Sequence, residues 1–417
     1  MQMKKYGCIG KKLTHSFSRE IHARLADYTY ELIELNEDAL PAFFEEKAFA
    51  AVNVTLPYKQ AVIPYLDGIS DVARRIGSVN TVVNRGGKLY GYNTDYYGMK
   101  ALIEHAGLDL QGKKVLILGT GGTGRTAYAV VTDMGAAEVL TVSRRKTDAY
   151  ITYEEAVTLH TDADILINTT PVGMYPDSAS QPIELSPFSG LEGVVDVVYN
   201  PLCTPLVLDA KARGIKAEGG LYMLVMQAVV AVEKFLDTHI EKDVAERVFA
   251  SVLGTKQNIV LTGMPGCGKS TVGRLLHVEC YTRIDTDAEI EKRCGCTIKE
   301  LIATKGEAYF RDVETQVIRD VSAESGRILS TGGGAILREE NVRYLKRNGT
   351  LFFLDAALSR LQATDDRPLS DTQDKLAQLY EQRIDRYRST ADVVVPDTNT
   401  PEEAADYIIA KRMERLL

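Results

Sequence analysis

The stretch that most restricts how this chain can fold is IVLTGMPGCGKST, residues 259–271. An apolar run of strand-forming residues ends abruptly in the spacing Gly263-x4-Gly268-Lys269-Ser270, and a helix-like segment follows. Strand, glycine loop and helix in that order form a phosphate cradle. The loop N–H groups surround the α- and β-phosphates of a nucleotide, Lys269 reaches the β- and γ-phosphates, and Ser270 can ligate Mg2+. Gly263, Gly266, Gly268, Lys269, Ser270 and Thr271 are therefore candidate nucleotide-binding residues, with Ser270 also a candidate metal ligand.

A second glycine loop of different design, GTGGTGR, stands at 119–125 between the apolar KVLILG and RTAYAVVTDMG, which reads as a helix. Gly119, Gly121, Gly122 and Gly124 form a variant of the dinucleotide fingerprint: glycines permit the tight turn and let the backbone approach a pyrophosphate at a helix N-terminus. About 20 residues further on, NAD enzymes place a carboxylate for the ribose 2′-hydroxyl. Here that position reads VSRRKT, so Ser143, Arg144, Arg145 and Lys146 offer a hydroxyl and positive charge. A 2′-phosphate suits them, which favours NADP over NAD. The bland alternatives are a plain turn and a solvated basic turn.

A chain of 417 residues suggests two or three domains. With 45% hydrophobic and 25% charged residues it has the composition of a soluble globular protein. A net charge of −8 argues against a nucleic-acid partner. The six cysteines (Cys8, Cys203, Cys267, Cys280, Cys294, Cys296) make neither a zinc pattern nor a secreted disulfide framework. The longest apolar stretch, LYMLVMQAVVAV at 221–232, is too short to span a bilayer, and the N-terminus shows no apolar signal core. No membrane partner is expected, and the expected location is the cytoplasm. The hydrophobic pattern restarts three times, each time alternating strand and helix: from YGCIG, from GKKVLILG and from IVLTG. This predicts three α/β units built on parallel sheets.

The third unit adds a set of polar residues. Asp285 and Asp287 in RIDTDAEIE are two apart at the end of a predicted strand, so both side chains should point the same way. One could hold hydrated Mg2+ and the other orient an acceptor hydroxyl; a solvated acidic turn is the bland alternative. Arg311 lies on a predicted helix, STGGGAI (330–336) lets a small ligand touch backbone, and Arg367 and Arg383 follow. Three separated arginines beside a phosphate loop imply an anionic acceptor. In this order the motifs GxxGxGKST, DTD, GExxFR, GGG, RPL and RxxxY resemble shikimate kinase across about residues 257–417. The resemblance implies that Asp287, Arg311, Gly333, Gly334 and Arg383 bind shikimate. It also implies that Asp285 serves the magnesium shell, that Arg367 reaches the phosphates from a lid, and that Arg360 borders the adenine. RPLSDTQDKL looks shorter than the family's usual lid.

The preceding units resemble shikimate dehydrogenase over about residues 5–254, through HSFS, NVTLPYK, GSVNT, GYNTD, NTTPVGM, DVVYNPLCTPL and GGLYMLVMQA in family order. That resemblance implies that Lys59 is the acid–base group, positioned and tuned by Asp95. Ser16, Ser18, Thr55, Asn80, Asp95 and Gln227 would hydrogen-bond the substrate, Tyr199 would line its pocket, and Thr169, Gly220 and Met223 would flank the nicotinamide. Arg19, Ala23 and Tyr96 depart from the family pattern and are expected at the pocket rim. Together the two resemblances imply a substrate-binding α/β domain (1–105, with returning helices 221–254), a Rossmann-like NADP domain (106–220) and a P-loop domain of the nucleoside-monophosphate-kinase type (257–417). The implied activity is reduction of 3-dehydroshikimate with NADPH and phosphorylation of shikimate by ATP with Mg2+. The alternatives are a catalytically silent metabolite sensor and a quinate-directed dehydrogenase using NAD. Oligomeric state stays open.

Overall fold

A computed structural model describes residues 5–13, 17–361 and 372–416. The chain divides into two compact units, Met1–Val252 and Leu253–Leu417.

The first unit begins with β1 (Tyr6–Gly10), α1 (Ser18–Leu25), β2 (Tyr30–Glu34), α2 (Leu40–Glu46), β3 (Ala51–Val54), β4 (Gly68–Ile69), α3 (Asp71–Ile76), β5 (Thr81–Arg85) and β6 (Lys88–Tyr92). These strands form one sheet in the order β2-β1-β3-β5-β6-β4. β1 runs parallel to β2 and β3, as the strand–helix alternation predicts. β5, however, runs antiparallel to both β3 and β6, so this sheet is mixed rather than parallel. The cause is local: Gly86 and Gly87 both take positive φ (62° and 86°), the backbone of a two-residue hairpin turn, and a hairpin joins only antiparallel strands.

α4 (Asp95–His105) leads into a second sheet built from β7 (Lys114–Leu118), α5 (Gly122–Asp133), β8 (Glu138–Ser143), β9 (Ile151–Thr152), α6 (Tyr153–Leu159), β10 (Ile165–Asn168), β11 (Gly193–Asp196), α7 (Pro205–Ala212) and β12 (Lys216–Glu218). Its order is β12-β11-β10-β7-β8-β9, parallel throughout. β8 passes to β9 through a short loop, which leaves a cavity of about 830 Å3 beside α5, lined in part by Tyr128, Val139, Thr141 and Tyr150.

α8 (Leu221–Leu236) then returns to the first sheet, packing on α1 and β5 as its all-round apolar sequence predicts, and α9 (Lys242–Lys256) follows. α8 also crosses α4 at Gly98. A Cβ there would come within 2.6 Å of the Met223 carbonyl oxygen and 2.9 Å of the Gln227 Cβ. The crossing therefore needs a residue without a side chain.

The second unit contains β13 (Asn258–Thr262), α10 (Lys269–Leu275), β14 (Thr282–Asp285), α11 (Thr286–Cys294), α12 (Ile298–Lys305), α13 (Glu307–Ala323), β15 (Arg327–Ser330), α14 (Glu339–Asn348), β16 (Gly349–Leu354), α15 (Gln373–Thr390), β17 (Val393–Val395) and α16 (Pro401–Leu416). One parallel sheet runs β14-β15-β13-β16-β17. Every residue of the central β13 is buried. Ile259 and Leu261 join one core with Phe352, and Val260 joins another with Leu329 and Phe353, so both faces of the strand are covered by helices. Among the described residues no helix is long and apolar enough to cross a membrane.

The α4–α8 crossing yields a stability prediction. Gly98→Val should destabilise the first unit by about 2–3 kcal/mol or more, because neither backbone can retreat without opening the core. Urea unfolding, followed by loss of the expected shikimate oxidation as the readout of the first unit, should show the midpoint moving to lower denaturant; an unchanged midpoint would refute the close crossing.

Candidate active sites

Two polar constellations form, one in each unit. In the first, the turn after β3 carries Lys59, and Asp95 opens α4. Lys59 Nζ donates to Asp95 Oδ2 at 2.6 Å, with the two side chains only 19% and 12% exposed. The backbone holds the pair against its neighbours: Val79 N donates to the Lys59 carbonyl at 2.8 Å, placing Asn80 alongside. Asn80 Nδ2 donates to Thr94 Oγ1 at 2.9 Å, and Asn80 Oδ1 accepts from Thr94 N at 2.7 Å. Thr94 Oγ1 in turn donates to Gln227 Oε1 of α8 at 3.3 Å. Lys59, Asp95, Asn80 and Gln227 thus converge, and Thr94 joins the last two. Thr94 escaped the sequence reading although it lies inside GYNTD beside Asp95.

A buried ladder supports this group. Tyr30 Oη donates to Asn53 Oδ1 (2.7 Å), and Asn53 Nδ2 donates to Thr81 Oγ1 (3.1 Å). The His22 imidazole stacks on the Tyr30 ring at 3.9 Å, its Nδ1 lies 2.6 Å from Tyr28 Oη, and burial pushes its pKa down to about 3. Tyr199 packs on Phe17 with ring centroids 5.2 Å apart, and burial raises its phenol above the ordinary range. Burial also pushes the Cys8 thiol up to about 12 against the nearby positive charge of Lys59. Thr55 follows β3, its N–H donating to the Ile9 carbonyl at 2.9 Å, and Ser18 is the first residue of α1. Ser16 lies outside the described residues. Tyr96, expected at the pocket rim, sends its hydroxyl to Asp133 at the end of α5 (2.6 Å).

The dinucleotide residues gather where β7 and β10 part company with their loops, at the switch point of a doubly wound sheet. Gly119 has φ +108°, and a Cβ on it would meet Thr169 Oγ1 at 2.8 Å. Thr169 Oγ1 itself donates to the Leu118 carbonyl at 2.6 Å. A Cβ on Gly124 would strike the Gly119 carbonyl, so the first helical turn lies flush on the strand end. Gly121, which precedes α5, has open space where its Cβ would lie. This backbone cradle at a helix N-terminus fits a pyrophosphate. Gly220 and Met223 open α8. Ser143 Oγ accepts from Arg145 N at 3.3 Å, Arg144 and Arg145 are exposed, and Lys146 pairs with Glu155. The cationic turn fits a further phosphate.

In the second unit, Gly263, Gly266 and Gly268 take φ of 151°, 84° and 91° before α10 begins at Lys269, a path closed to side-chain-bearing residues. Lys269 Nζ donates across the loop to the carbonyls of Gly263 (2.8 Å) and Met264 (3.0 Å). Ser270 Oγ donates to Asp285 Oδ2 at 2.6 Å. Among the described residues no group of three or more His, Cys, Asp or Glu could hold a metal ion. Ser270 and Asp285 nevertheless fit Mg2+, which keeps several waters and takes its remaining ligands from substrate phosphates. Asp285 and Asp287 do not point the same way by strand alternation, as expected from sequence. β14 stops at Asp285, whose Oδ1 accepts from the N–H groups of Asp287 (3.1 Å) and Ala288 (3.4 Å) and so starts α11. Asp287 therefore sits in a helical turn, its Oδ1 against Gly332.

The anion-binding side is assembled around the glycine stretch after β15. A Cβ on Gly334 would collide with the Arg311 guanidinium, and one on Gly333 would meet Pro265 of the phosphate loop at 2.8 Å. Arg383 donates to the Gly333 carbonyl at 3.1 Å. Arg311 is 9% exposed and Arg383 7%; burial lowers the Arg383 pKa. Arg311 is held by Glu307 (3.1 Å) and by the fully buried Glu314 (2.9 Å), whose carboxyl burial raises against the pull of Arg311. Tyr387 Oη donates to the Gly263 carbonyl (2.9 Å) and also contacts the Gly333 carbonyl, tying the two glycine loops together. Sequence reasoning assigned no role to Gly332, Glu314 or Tyr387. The i, i+3 spacing of Arg311 and Glu314 was the available signal for Glu314. Arg360 bonds Asp397 at 2.7 Å and helps line a cavity of about 150 Å3 with Gly266, Gly268 and Pro396. Thr271 lies in the first turn of α10. Arg367 and the RPL segment lie outside the described residues.

Fold and sites define a two-lobed nicotinamide-dependent dehydrogenase in one unit and a P-loop phosphotransferase in the other. Residues 8–82 match the family model for the shikimate dehydrogenase substrate binding domain, and residues 265–412 match that for shikimate kinase. A shikimate dehydrogenase (NADP(+)) of Clostridium perfringens (strain SM101 / Type A) is 37% identical over 265 residues, covering 59% of this chain and 97% of that protein. Shikimate dehydrogenase 1 from Peptoclostridium difficile matches in structure with a TM-score of 0.56 at 35% identity, covering 60% of this chain and 98% of that one. The shikimate 5-dehydrogenase of Thermus thermophilus, solved in complex with NADP(H) and shikimate, matches with a TM-score of 0.54 at 32% identity, covering 60% and 99%. The chain belongs to the shikimate dehydrogenase family and carries a shikimate kinase domain after it.

The ladder behind Lys59 yields a pH prediction. His22 has a folded pKa below its unfolded value, so the unfolded chain takes up this proton first. Stability from this group is full above about pH 6.5 and falls by about 1.4 kcal/mol per unit as pH drops toward 3. His22→Phe keeps a ring against Tyr30 but cannot titrate. Denaturant melts at pH 7, 6 and 5 should show wild type losing ground to this variant as pH falls; parallel curves would be inconsistent with the buried neutral imidazole.

Proposed function

We propose that this chain performs two consecutive steps on one ring oxygen: reduction of 3-dehydroshikimate to shikimate, then phosphorylation of the new 3-hydroxyl. The observation that carries the reading is that each unit has its own convergent site. The Lys59–Asp95 pair supports proton transfer to a ketone oxygen. Asp287, Arg311 and Arg383 beside the Gly263–Ser270 loop support a hydroxyl acceptor bearing a carboxylate. We assign residues 1–105 with 221–254 to substrate binding in the dehydrogenase, 106–220 to NADP, and 257–417 to the kinase.

In the first site NADPH, when bound, supplies the hydride to the carbonyl carbon. Lys59 delivers the proton to the oxygen as negative charge develops there, and Asp95 fixes the ammonium in line. Asn80, Thr94 and Gln227, held by the buried ladder, orient the ring hydroxyls. Ser143, Arg144, Arg145 and Lys146 recognise the 2′-phosphate. In the second site Asp287 orients the 3-hydroxyl for attack on the γ-phosphorus of ATP, and Arg311 and Arg383 hold the carboxylate. Lys269 offsets charge in the loose transition state; Ser270 and Asp285 would hold Mg2+, which would supply charge neutralisation at the phosphates. Arg360 borders the base. The partners are these small molecules, and the cytoplasm supplies the cofactors and the reducing conditions that six scattered cysteines require.

Purified protein given 3-dehydroshikimate, NADPH, ATP and Mg2+ should consume NADPH and release shikimate 3-phosphate. Lys59→Ala should lower shikimate oxidation by about 10^2–10^4-fold and leave shikimate-dependent ATP turnover intact. Lys269→Ala should do the reverse. Equal loss of both activities in either variant would contradict the division of labour, and shikimate accumulating without phosphorylation would remove the kinase step.

A further inference from the structure

Within the first unit, three side chains meet across the boundary between its two sheets. Arg75 ends α3 on the substrate side, and its guanidinium grips both oxygens of Asp133, with Nη1 to Oδ1 at 2.9 Å and Nη2 to Oδ2. Tyr96, the residue after Asp95, donates to the same carboxylate at 2.6 Å. The Arg75 guanidinium lies 5.9 Å from the centroid of the Tyr96 ring, closing the triangle. Asp133 is the last residue of α5, the 12-residue helix whose first turn forms the dinucleotide loop.

An aspartate is electrostatically misplaced there, since the carbonyl end of a helix already carries partial negative charge. Helix stability does not call for it, but a partner across the boundary does. Arg75 first, and Tyr96 next, hold the Asp133 carboxyl below the ordinary range, so it stays charged. The substrate side also approaches the other end of α5: Ser78 Oγ lies 3.8 Å from where a Cβ on Gly122 would sit. The helix is thus met at both ends by residues 75–78, from the last turn of α3 and the segment just after it.

We propose that Arg75, Asp133 and Tyr96 form a clasp that sets the angle between the lobe carrying Lys59 and Asp95 and the lobe carrying the dinucleotide loop. They are positioning residues for hydride transfer. A rigid helix gripped at its far end carries the orientation to its loop end, and a 1 Å misplacement of reacting atoms can cost about 10^2-fold in rate. Tyr96 ties this grip directly to Asp95, its neighbour in the first turn of α4. The proposal rests on the dehydrogenase reading, and activity of the wild type tests that reading separately.

The test measures kcat, KM and the deuterium isotope effect for oxidation of shikimate labelled at C3, with kinase activity of the same chain as the internal control for folding. Asp133→Asn and Tyr96→Phe should lower kcat about 3- to 30-fold, leave the KM for shikimate within about twofold, and raise the isotope effect as hydride transfer becomes more limiting. The double exchange Arg75→Asp with Asp133→Arg should recover most of kcat, where each single exchange does not. An exposed pair often contributes nothing measurable. Single variants within twofold of wild type in kcat and isotope effect would overturn the clasp. So would a loss confined to KM, or a double exchange as slow as its parents.

Discussion

Backbone crowding at the carboxyl ends of two parallel strands decides where this chain can hold a ligand. At the end of β7, a side chain on Gly119 would run into Thr169, and one on Gly124 would run into the Gly119 carbonyl. At the end of β13, a Cβ on Gly263 would lie 2.6 Å from Cys267 Sγ and 3.1 Å from the Leu354 carbonyl. In both places the absence of side chains lets a loop lie flat against its strand and aim N–H groups outward. The helix that follows then adds its N-terminal field to the same point. The rest of each site is arranged around these two fixed edges.

The two edges serve opposite kinds of chemistry, and their surroundings differ accordingly. Around the Lys59–Asp95 pair the other polar groups are amides and hydroxyls linked in a chain from Tyr30 through Asn53, Thr81, Asn80 and Thr94 to Gln227, which can hold neutral ring hydroxyls without adding charge. Around the phosphate loop the groups are charged. Arg311 and Arg383 are buried side by side, with Glu314 beneath Arg311 offsetting part of their repulsion. Two buried cations this close, with one buried carboxylate beneath them, favour a further anion. Tyr387 contacts the phosphate loop and the glycine stretch after β15 at once, so a single buried hydroxyl helps tie the two together.

Much of this was legible in the sequence because the decisive features are local. A glycine spacing between an apolar run and a helix carries its own mechanism, and Lys59, Asp95, Asn80 and Gln227 sit in motifs whose order alone is informative. The residues that escaped notice are those whose role depends on distant partners. Thr94 matters because Asn80 and Gln227 reach it from elements far apart in the chain. Gly332 matters because Asp287 packs on it, and Tyr387 because it spans two loops. Two expectations failed for local reasons that had been overlooked. Consecutive glycines after β5 turned a parallel expectation into a hairpin, and the capping carboxylate of Asp285 ended a strand two residues before the pattern assumed.

The sequence by itself determined the three α/β patterns and the two glycine loops, since these follow from periodicity and from what glycine permits, while the candidate groups for chemistry came from the order of short motifs. Only the tertiary structure decided how those groups are aimed. Asp287 turned out to face Gly332 from a helix, and Tyr96 to send its hydroxyl to Asp133 at the end of α5. Direction depends on which elements pack together, and packing is a property of the whole buried surface that no short stretch of residues contains.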